Sequence, residues 1–298
     1  MDRILSPLSP AWLEGLQVFI DDWFFVFALV FLLFELGRYW LLKKLNWTLI
    51  GDTLTNYVML AMFIGITVVF LAAFYVAAFY YVWQFAIFNI EINWATVLIC
   101  IVLADLVYYW EHRFLHRVNV GWATHSVHHS SPFFNISVAY RFGPMDSFWP
   151  VLFHLPLVML GFNPVVVVFA EVIVQVYQTA LHTEAVKKLP RPIEAVLNTP
   201  SHHRVHHGSN PAYLDKNYAG IFIIWDRMFG TFAEEREPVT YGLTRPINSV
   251  NPLIAFFHGF HRLGQEIWQM PGLANKVRVL TNPPGWQPKS GPQTPRSD

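Results

Sequence analysis

Four histidines occupy the last six positions of "SHHRVHH", at His202, His203, His206 and His207. Two further groups lie upstream, "EHRFLHR" (Glu111–Arg117) and "THSVHH" (Thr124–His129). With His182, these groups hold all but three of the 13 histidines. Imidazole is a neutral nitrogen ligand that suits iron, copper, nickel and zinc. One first-row ion takes about four to six ligands, so ten candidates, His112, His116, His125, His128, His129, His182, His202, His203, His206 and His207, point to two ions. His112 and His116 are spaced i, i+4 and share one helix face. The two H-x-x-H-H groups each offer neighbours at i+3 and i+4. Buried without ions, so many imidazoles would leave many donors and acceptors to be paired. His154, His258 and His261 stand alone and read as ordinary core or interface residues.

The pattern narrows the chemistry. A zinc peptidase needs H-E-x-x-H, with a general-base glutamate between two ligands, and that motif is absent. Soluble di-iron bundles use four glutamates and two histidines; here imidazole replaces carboxylate, which leaves more positive charge on the ions and is compatible with oxygen activation beside a bilayer. Asp105, Tyr109, His112 and His116 follow one another at steps of four, three and four, so they share a helix face. Asp105 lies in an apolar run, where an unpaired carboxylate is costly. It is expected either to accept from a ligand imidazole or a nearby arginine, or to pair with some other polar group. Glu171, Gln175, Gln178 and His182 repeat the same steps on a Val-rich helix, and this polar stripe is expected to face inward and lead to the ions.

The elements that carry these groups are membrane-like. Of the residues, 54% are hydrophobic and only 13% charged, against about 25% charged in a soluble domain. The formal net charge of zero gives no footing for nucleic acid. Cys100 is the single cysteine, so neither a disulfide nor a cysteine metal site is expected. The start "MDRILSPLSP" lacks the pattern of a cleavable signal peptide. Apolar runs of membrane-spanning length cover about Val18–Leu42, Tyr57–Trp83 and Trp94–Trp110. A fourth, Phe148–Leu181, is broken at "GFNP" (Gly161–Pro164) and reads as a helical hairpin with a short first arm.

Basic residues follow these runs at Arg38, Lys43 and Lys44, at Arg113 and Arg117, and at Lys187, Lys188 and Arg191. By the positive-inside rule they place the histidines on the cytosolic face of a bacterial inner membrane or of the endoplasmic reticulum. The expected fold is thus all-α, a multi-pass membrane protein of four to five membrane segments, with a cytosolic helical cap over a histidine-rich di-metal site. Three regions are expected: N-terminal membrane helices over 1–110, a catalytic core over 111–250 that includes the hairpin near 148–181, and a C-terminal part over 251–298. In the last, Leu253, Phe256, Phe257, Phe260 and Ile267 recur at helical spacing, as an in-plane amphipathic helix or one packed on the cap, and a flexible tail follows.

The order "HRFLH", "HSVHH", "HTE", "HHRVHH" resembles the ligand groups of the fatty acid hydroxylase/sterol desaturase superfamily of membrane non-haem di-iron oxygenases. Within it the likeness is nearest to the ether-lipid-cleaving monooxygenases. It is carried by "VNVGWATHSVHHSSPFFNISVAYR" (Val118–Arg141), "NTPSHHRVHHG" (Asn198–Gly208), "DKNYAGIFIIWDRMFGTF" (Asp215–Phe232), "YGLTRPIN" (Tyr241–Asn248) and "PGW" (Pro284–Trp286), and it covers about Ala104 to Trp286. The resemblance implies two iron ions on His112, His116, His125, His128, His129, His182, His203, His206 and His207, with His202 a further candidate. Asn198, Asn217 and Asp226, inside these stretches, are candidates for supporting the ligands or lining the substrate channel. It also implies O2 as oxidant, hydroxylation of an aliphatic C–H bond in a membrane lipid, and, in the ether-cleaving branch, attack beside the ether oxygen with tetrahydrobiopterin as electron source. Arg117 follows His116 where that branch carries a glutamate, which leaves another reductant open. No flavin, dinucleotide or haem motif is evident, so an external electron donor is expected.

Two other readings stand beside this one. A lipid or sterol desaturase would use the same site, and a non-catalytic metal-binding or transport protein would use the histidines alone. Zinc is the expected substitute in purified protein.

Overall fold

The computed structural model describes residues 6–288, and of residues 70–72 the backbone only. Helix α1 (Pro10–Leu41) opens on Ser9, whose hydroxyl accepts from Trp12 N at 3.2 Å, with Pro10 pre-set in the first turn. At 1.5 Å per residue it is about 48 Å long. Helix α2 (Trp47–Ile66), capped by Asn46, passes through a π-helical turn at Thr67–Leu71 into α3 (Ala72–Trp83). The apolar run that reads as one segment, Tyr57–Trp83, is therefore the larger, C-terminal part of a longer, interrupted helix. At the π turn the Thr67 hydroxyl lies 2.9 Å from Ser147 Oγ.

Helix α4 (Trp94–Arg117) opens on a reciprocal cap between Asn93 and Thr96. It runs past its apolar stretch, so the first two histidines ride on an extension of a membrane helix. Short α5 (Asn119–His125) and two 3₁₀ turns, His128–Ser130 and Ile136–Tyr140, lead to the hairpin of α6 (Phe148–Leu160) and α7 (Pro164–Leu181). The hairpin turns where expected. Gly161 takes φ +117°, and a Cβ there would sit 2.0 Å from Phe88 O, so only glycine fits. Among the described residues, four helices are long and apolar enough to cross a membrane: α1, the stretch Trp47–Val69, α4 and α7.

The main core joins α4 (Val97, Cys100, Ala104), α6 (Val151, Leu157) and α7 (Val165–Val167, Ala170, Val174) around Leu13 of α1. The outward faces stay apolar, with Leu33, Val69 and Ile99 more than half exposed. A surface of that kind suits lipid rather than water. Backbone bonds from Leu8 N to Ile92 O and from Ile87 N to Met159 O tie one end of the bundle. The histidine groups lie at the other.

Polar residues 184–250 cover the histidine end. They contain α8 (Arg191–Val196), α9 (Pro200–His206) and α10 (Ile224–Met228). Among the described residues there is no strand, only an isolated bridge between Gly208 and Tyr241.

Helix α11 (Pro252–Gln269) and α12 (Leu273–Thr281) complete the fold. α11 buries Ala255, Phe256, Gly259 and Leu263 against α2 and α5, while Leu253 and Phe257 are exposed. The five spaced apolar residues thus divide between two surfaces, because the apolar arc is wider than the strip in contact. The expected flexible tail lies, from residue 289 on, outside the described residues.

Candidate metal centre

Five elements bring nine histidines together. α4 supplies His112 and His116, α5 ends in His125, and the 3₁₀ turn supplies His128 and His129. His182 caps α7, and α9 with its C-cap supplies His203, His206 and His207. They form two groups, buried except for half-buried His128, each with ligand nitrogens within 4.8 Å of one another. His112, His116, His125, His129 and His206 make one; His128, His182, His203 and His207 make the other. The groups abut, the rings of His129 and His207 stacking at 4.4 Å. Consecutive residues on a helical turn point about 100° apart, so His128/His129 and His206/His207 each serve both groups. The same divergence sends His202 away from His203. Its Nδ1 faces Thr199 Oγ1 at 3.4 Å and its Nε2 lies 3.9 Å from Glu194, outside both groups.

The ring orientations test whether a metal fits. His112 Nδ1 donates to Tyr218 O at 2.8 Å, His206 Nδ1 to Lys216 O at 2.9 Å, and His182 Nδ1 to Gln178 O at 2.9 Å. A carbonyl only accepts, so each of these Nδ1 atoms carries the proton and each Nε2 keeps its lone pair. Yet His112 Nε2 lies 2.9 Å from His125 Nε2, and His182 Nε2 lies 3.2 Å from His128 Nε2 and 3.0 Å from His203 Nε2. The buried Nε2 atoms of His116, His129, His206 and His207 find no partner. Burial first, and then the neighbouring imidazoles, hold His125, His128, His129, His203, His206 and His207 well below the usual imidazole range. Burial alone brings His182 down to about 4. Neutral rings with bare, converging nitrogens are a donor set for cations.

The carbonyls that orient His112 and His206 belong to the loop after Asp215, and most of the expected supporting residues hold that loop. Asp105 accepts from Ile221 N (2.6 Å), Phe222 N (2.9 Å) and Trp225 Nε1 (2.8 Å). Its partners are therefore backbone amides and an indole, not a ligand imidazole or an arginine. Its carboxylate sits opposite the amides of Ile221 and Phe222 in that loop. Asp226 accepts from Tyr218 N and Ala219 N, each at 2.8 Å. Asn198 Nδ2 donates to Ala219 O at 2.6 Å, and Asn217 Nδ2 bridges His202 O and Ala233 O. Tyr109 reaches Thr231 Oγ1 at 3.0 Å. These five residues pack about the loop and its neighbours, and none of them lines the cavity beside His125, His128 and His182.

Glu171, Gln175 and Gln178 do line a cavity, of about 290 Å³, with His125, His128 and His182 in its wall. Glu111 and Asp146 lie in the same wall and went unweighed in the sequence. Glu111 directly precedes His112, whereas Asp146 follows no periodic pattern. Burial pushes Asp146 up to about 7, against the opposing amide of Gly143. Arg141, fully buried beneath the His125–Ser130 segment, was also not anticipated. It bonds Asp52 Oδ1 (3.1 Å), Asn56 Oδ1 (2.7 Å), Ser130 Oγ (2.8 Å) and Val127 O (3.1 Å).

Residues 97–231 match the fatty acid hydroxylase family. The chain is similar to alkylglycerol monooxygenase of Danio rerio, with 45% identity over 215 residues covering 71% of this chain and 48% of the relative. It is 37% identical to alkylglycerol monooxygenase of Homo sapiens over 275 residues, covering 91% of this chain and 60% of the relative. Lathosterol oxidase of Mus musculus is 28% identical over 145 residues, 47% of either chain. The chain thus spans about half to three-fifths of the length of these curated relatives. No solved structure matches it.

Proposed function

Because the chain belongs to the fatty acid hydroxylase family, we propose that it is a membrane-bound monooxygenase that uses O2 to hydroxylate an aliphatic C–H bond of a lipid. One observation carries the reading: nine imidazoles in groups of five and four open on a cavity that reaches into the membrane bundle. His112, His116, His125, His129 and His206 would hold one iron, and His128, His182, His203 and His207 the other. Iron held there supplies the reduction of O2 that inserts one oxygen atom into C–H and releases the other as water, with two electrons and two protons from outside. The chain's own residues do the rest. Tyr218 O, Lys216 O and Gln178 O fix the ring orientations, Phe134 stacks on His182 and closes that side, and the cavity presents a lipid to His125, His128 and His182.

The similarity to alkylglycerol monooxygenases makes an O-alkyl ether lipid the first substrate to try. Hydroxylation beside the ether oxygen gives a hemiacetal, which collapses to an aldehyde and an alcohol. Tetrahydrobiopterin is the reductant to try first. Arg117, engaged with Asp215 at 3.0 Å, stands next to His116 and makes a second donor worth supplying in parallel. The regions 1–110, 111–250 and 251–298 serve as membrane anchor, catalytic core and covering helix, with the histidines facing the cytosol.

The test is reconstitution of anaerobically purified, iron-loaded protein with an alkylglycerol, each reductant and ¹⁸O2. About two irons per chain and ¹⁸O in the released aldehyde are expected. An alkene without label would make the enzyme a desaturase. A protein that retains zinc and reacts with no lipid would be a structural metal protein.

A further inference from the structure

The nine histidines are reached from two sides, and the two sides differ in chemistry. On the bundle side, His125, His128 and His182 face the cavity that Phe63, Leu115 and Phe142 also line. A divalent cation entering there would first have to leave water for the apolar interior of the bilayer, which is costly for any charge. On the cover side lies a second, smaller depression of about 40 Å³, lined by His116, His129, His206 and His207. It has room for an ion with a few waters and is too small for a lipid.

Among the nine, these are the four whose Nε2 atoms lack a hydrogen-bond partner, although each residue is less than a tenth exposed. His116, His129 and His206 belong to the five-histidine group and His207 to the other. The rings of His129 and His207 stack at 4.4 Å, so bare nitrogens continue from the depression into both groups. Asp215 is the one acid among the described residues that line it, and no Lys or Arg is among them. Its side chain is 15% exposed, with Oδ1 3.8 Å from His116 Nδ1 and Oδ2 3.0 Å from Nη1 of half-exposed Arg117. Thr244 forms an exposed part of the rim.

We propose that this depression is the port through which metal ions reach both histidine groups, with Asp215 as the carboxylate that takes a divalent cation from water and passes it to His116. A carboxylate accepts an ion that still carries water, whereas imidazole is the better ligand for first-row metals. His116 and the rings behind it therefore draw the cation inward from the rim. Arg117 competes with the cation for the same carboxylate, which keeps Asp215 an entry ligand and not a permanent tenth one. The inference rests on the reading of the nine histidines as a two-ion centre, and not on the oxidation assigned to that centre.

Loading rates test the port without turnover. The full chain, freed of metal and held in lipid nanodiscs, is mixed with Co(II) under argon. The visible bands of the imidazole complex give the rate of uptake, and equilibrium titration gives the affinity. Asp215→Asn removes the charge and keeps a residue that accepts the left-handed backbone at φ +58°. It is expected to slow uptake about tenfold, the low end of what a charged mouth contributes, and to slow release into a chelator equally, so that affinity is unchanged. Arg117→Ala should speed uptake. Thr244→Cys coupled to a bulky thiol reagent should slow the uptake of both ions, since Cys100 is fully buried and out of the reagent's reach, and reduction of the mixed disulfide should restore the rate. Two ions bound at a rate indifferent to Asp215→Asn and to the coupled reagent would overturn the port alone. An affinity that falls as far as the rate would also overturn it, and make Asp215 an orienting partner of His116. Unaltered protein that binds no cobalt at equilibrium would remove the two-ion centre and the port together.

Discussion

At the scale of single residues, the centre is held by groups that never touch a ligand ring. Asp226 accepts from the amides of Tyr218 and Ala219, the residue whose carbonyl accepts from His112 and the one after it. Loss of such support costs about 10- to 100-fold in metal affinity. Asp226→Ala should therefore bind metal that much more weakly in a chelator competition, with membrane insertion unchanged. His258 offers a test of burial, its largest cause of shift, away from the two histidine groups. It lies outside both histidine groups, bonded to Ala255 O at 2.8 Å, and burial brings it down to about 4. The unfolded chain takes up a proton near the ordinary imidazole value of about 6.5 and the folded chain does not. Its contribution is therefore unfavourable below that pH and grows as pH falls towards 4. Between pH 7 and pH 5 the stability of His258→Gln should improve relative to the unaltered protein by about 2 kcal/mol, read from thermal melts at the two pH values. A difference independent of pH would mean that His258 is not buried neutral.

Among the elements, the short helix α5 has little support of its own, with seven residues, no side-chain cap and His125 at its end. It is held in place from outside by α11. A Cβ on Gly259 would lie 1.9 Å from Ala123 O, so the two backbones meet at a distance only glycine permits. Gly259→Val should lower stability by about 1–3 kcal/mol, as overpacked contacts do, and should release metal from the five-histidine group first. Gly264 of the same helix faces open space, and Gly264→Ala should leave melting temperature and metal content where they are, or raise the melting temperature slightly. Metal content indifferent to both would show that α5 holds His125 without help.

For the molecule as a whole, the decisive feature is that every histidine group lies at one end. Bonds such as Leu8 N to Ile92 O close the opposite end, where the loop before α4 carries Glu91 as its single charge. Arg38, Lys43, Lys44, Arg117, Lys187 and Lys188 gather at the histidine end, and the orientation proposed above, with that end in the cytosol, is open to test. Cys100 is fully buried, so single introduced cysteines report cleanly. Glu91→Cys should react with a membrane-impermeant maleimide in intact cells, and Asn210→Cys only after permeabilisation. The opposite pattern would invert the orientation and bring reductant to the other face.

The residues themselves determined a good deal. Apolar run length, glycine and proline at the hairpin, and the crowding of histidines follow from local chemistry that no tertiary contact overrides. They were enough to set the class of fold, the place of the hairpin and the ten histidines among which the nine converging rings are found. Other features could not be read. Which neighbour serves which group depends on how α4, α5, α7 and α9 cross, and His202 is separated from His203 only by helical rotation. Asp105 stays open in the sequence between an imidazole or arginine partner and some other polar group, because spacing shows which face a side chain is on, not what arrives opposite it. What arrived was a loop more than a hundred residues distant in sequence. Glu111, Gln178 and Asp146 became neighbours for the same reason. A chain displays its own periodicity, but the partner of a buried polar atom is chosen only when separate elements close around it.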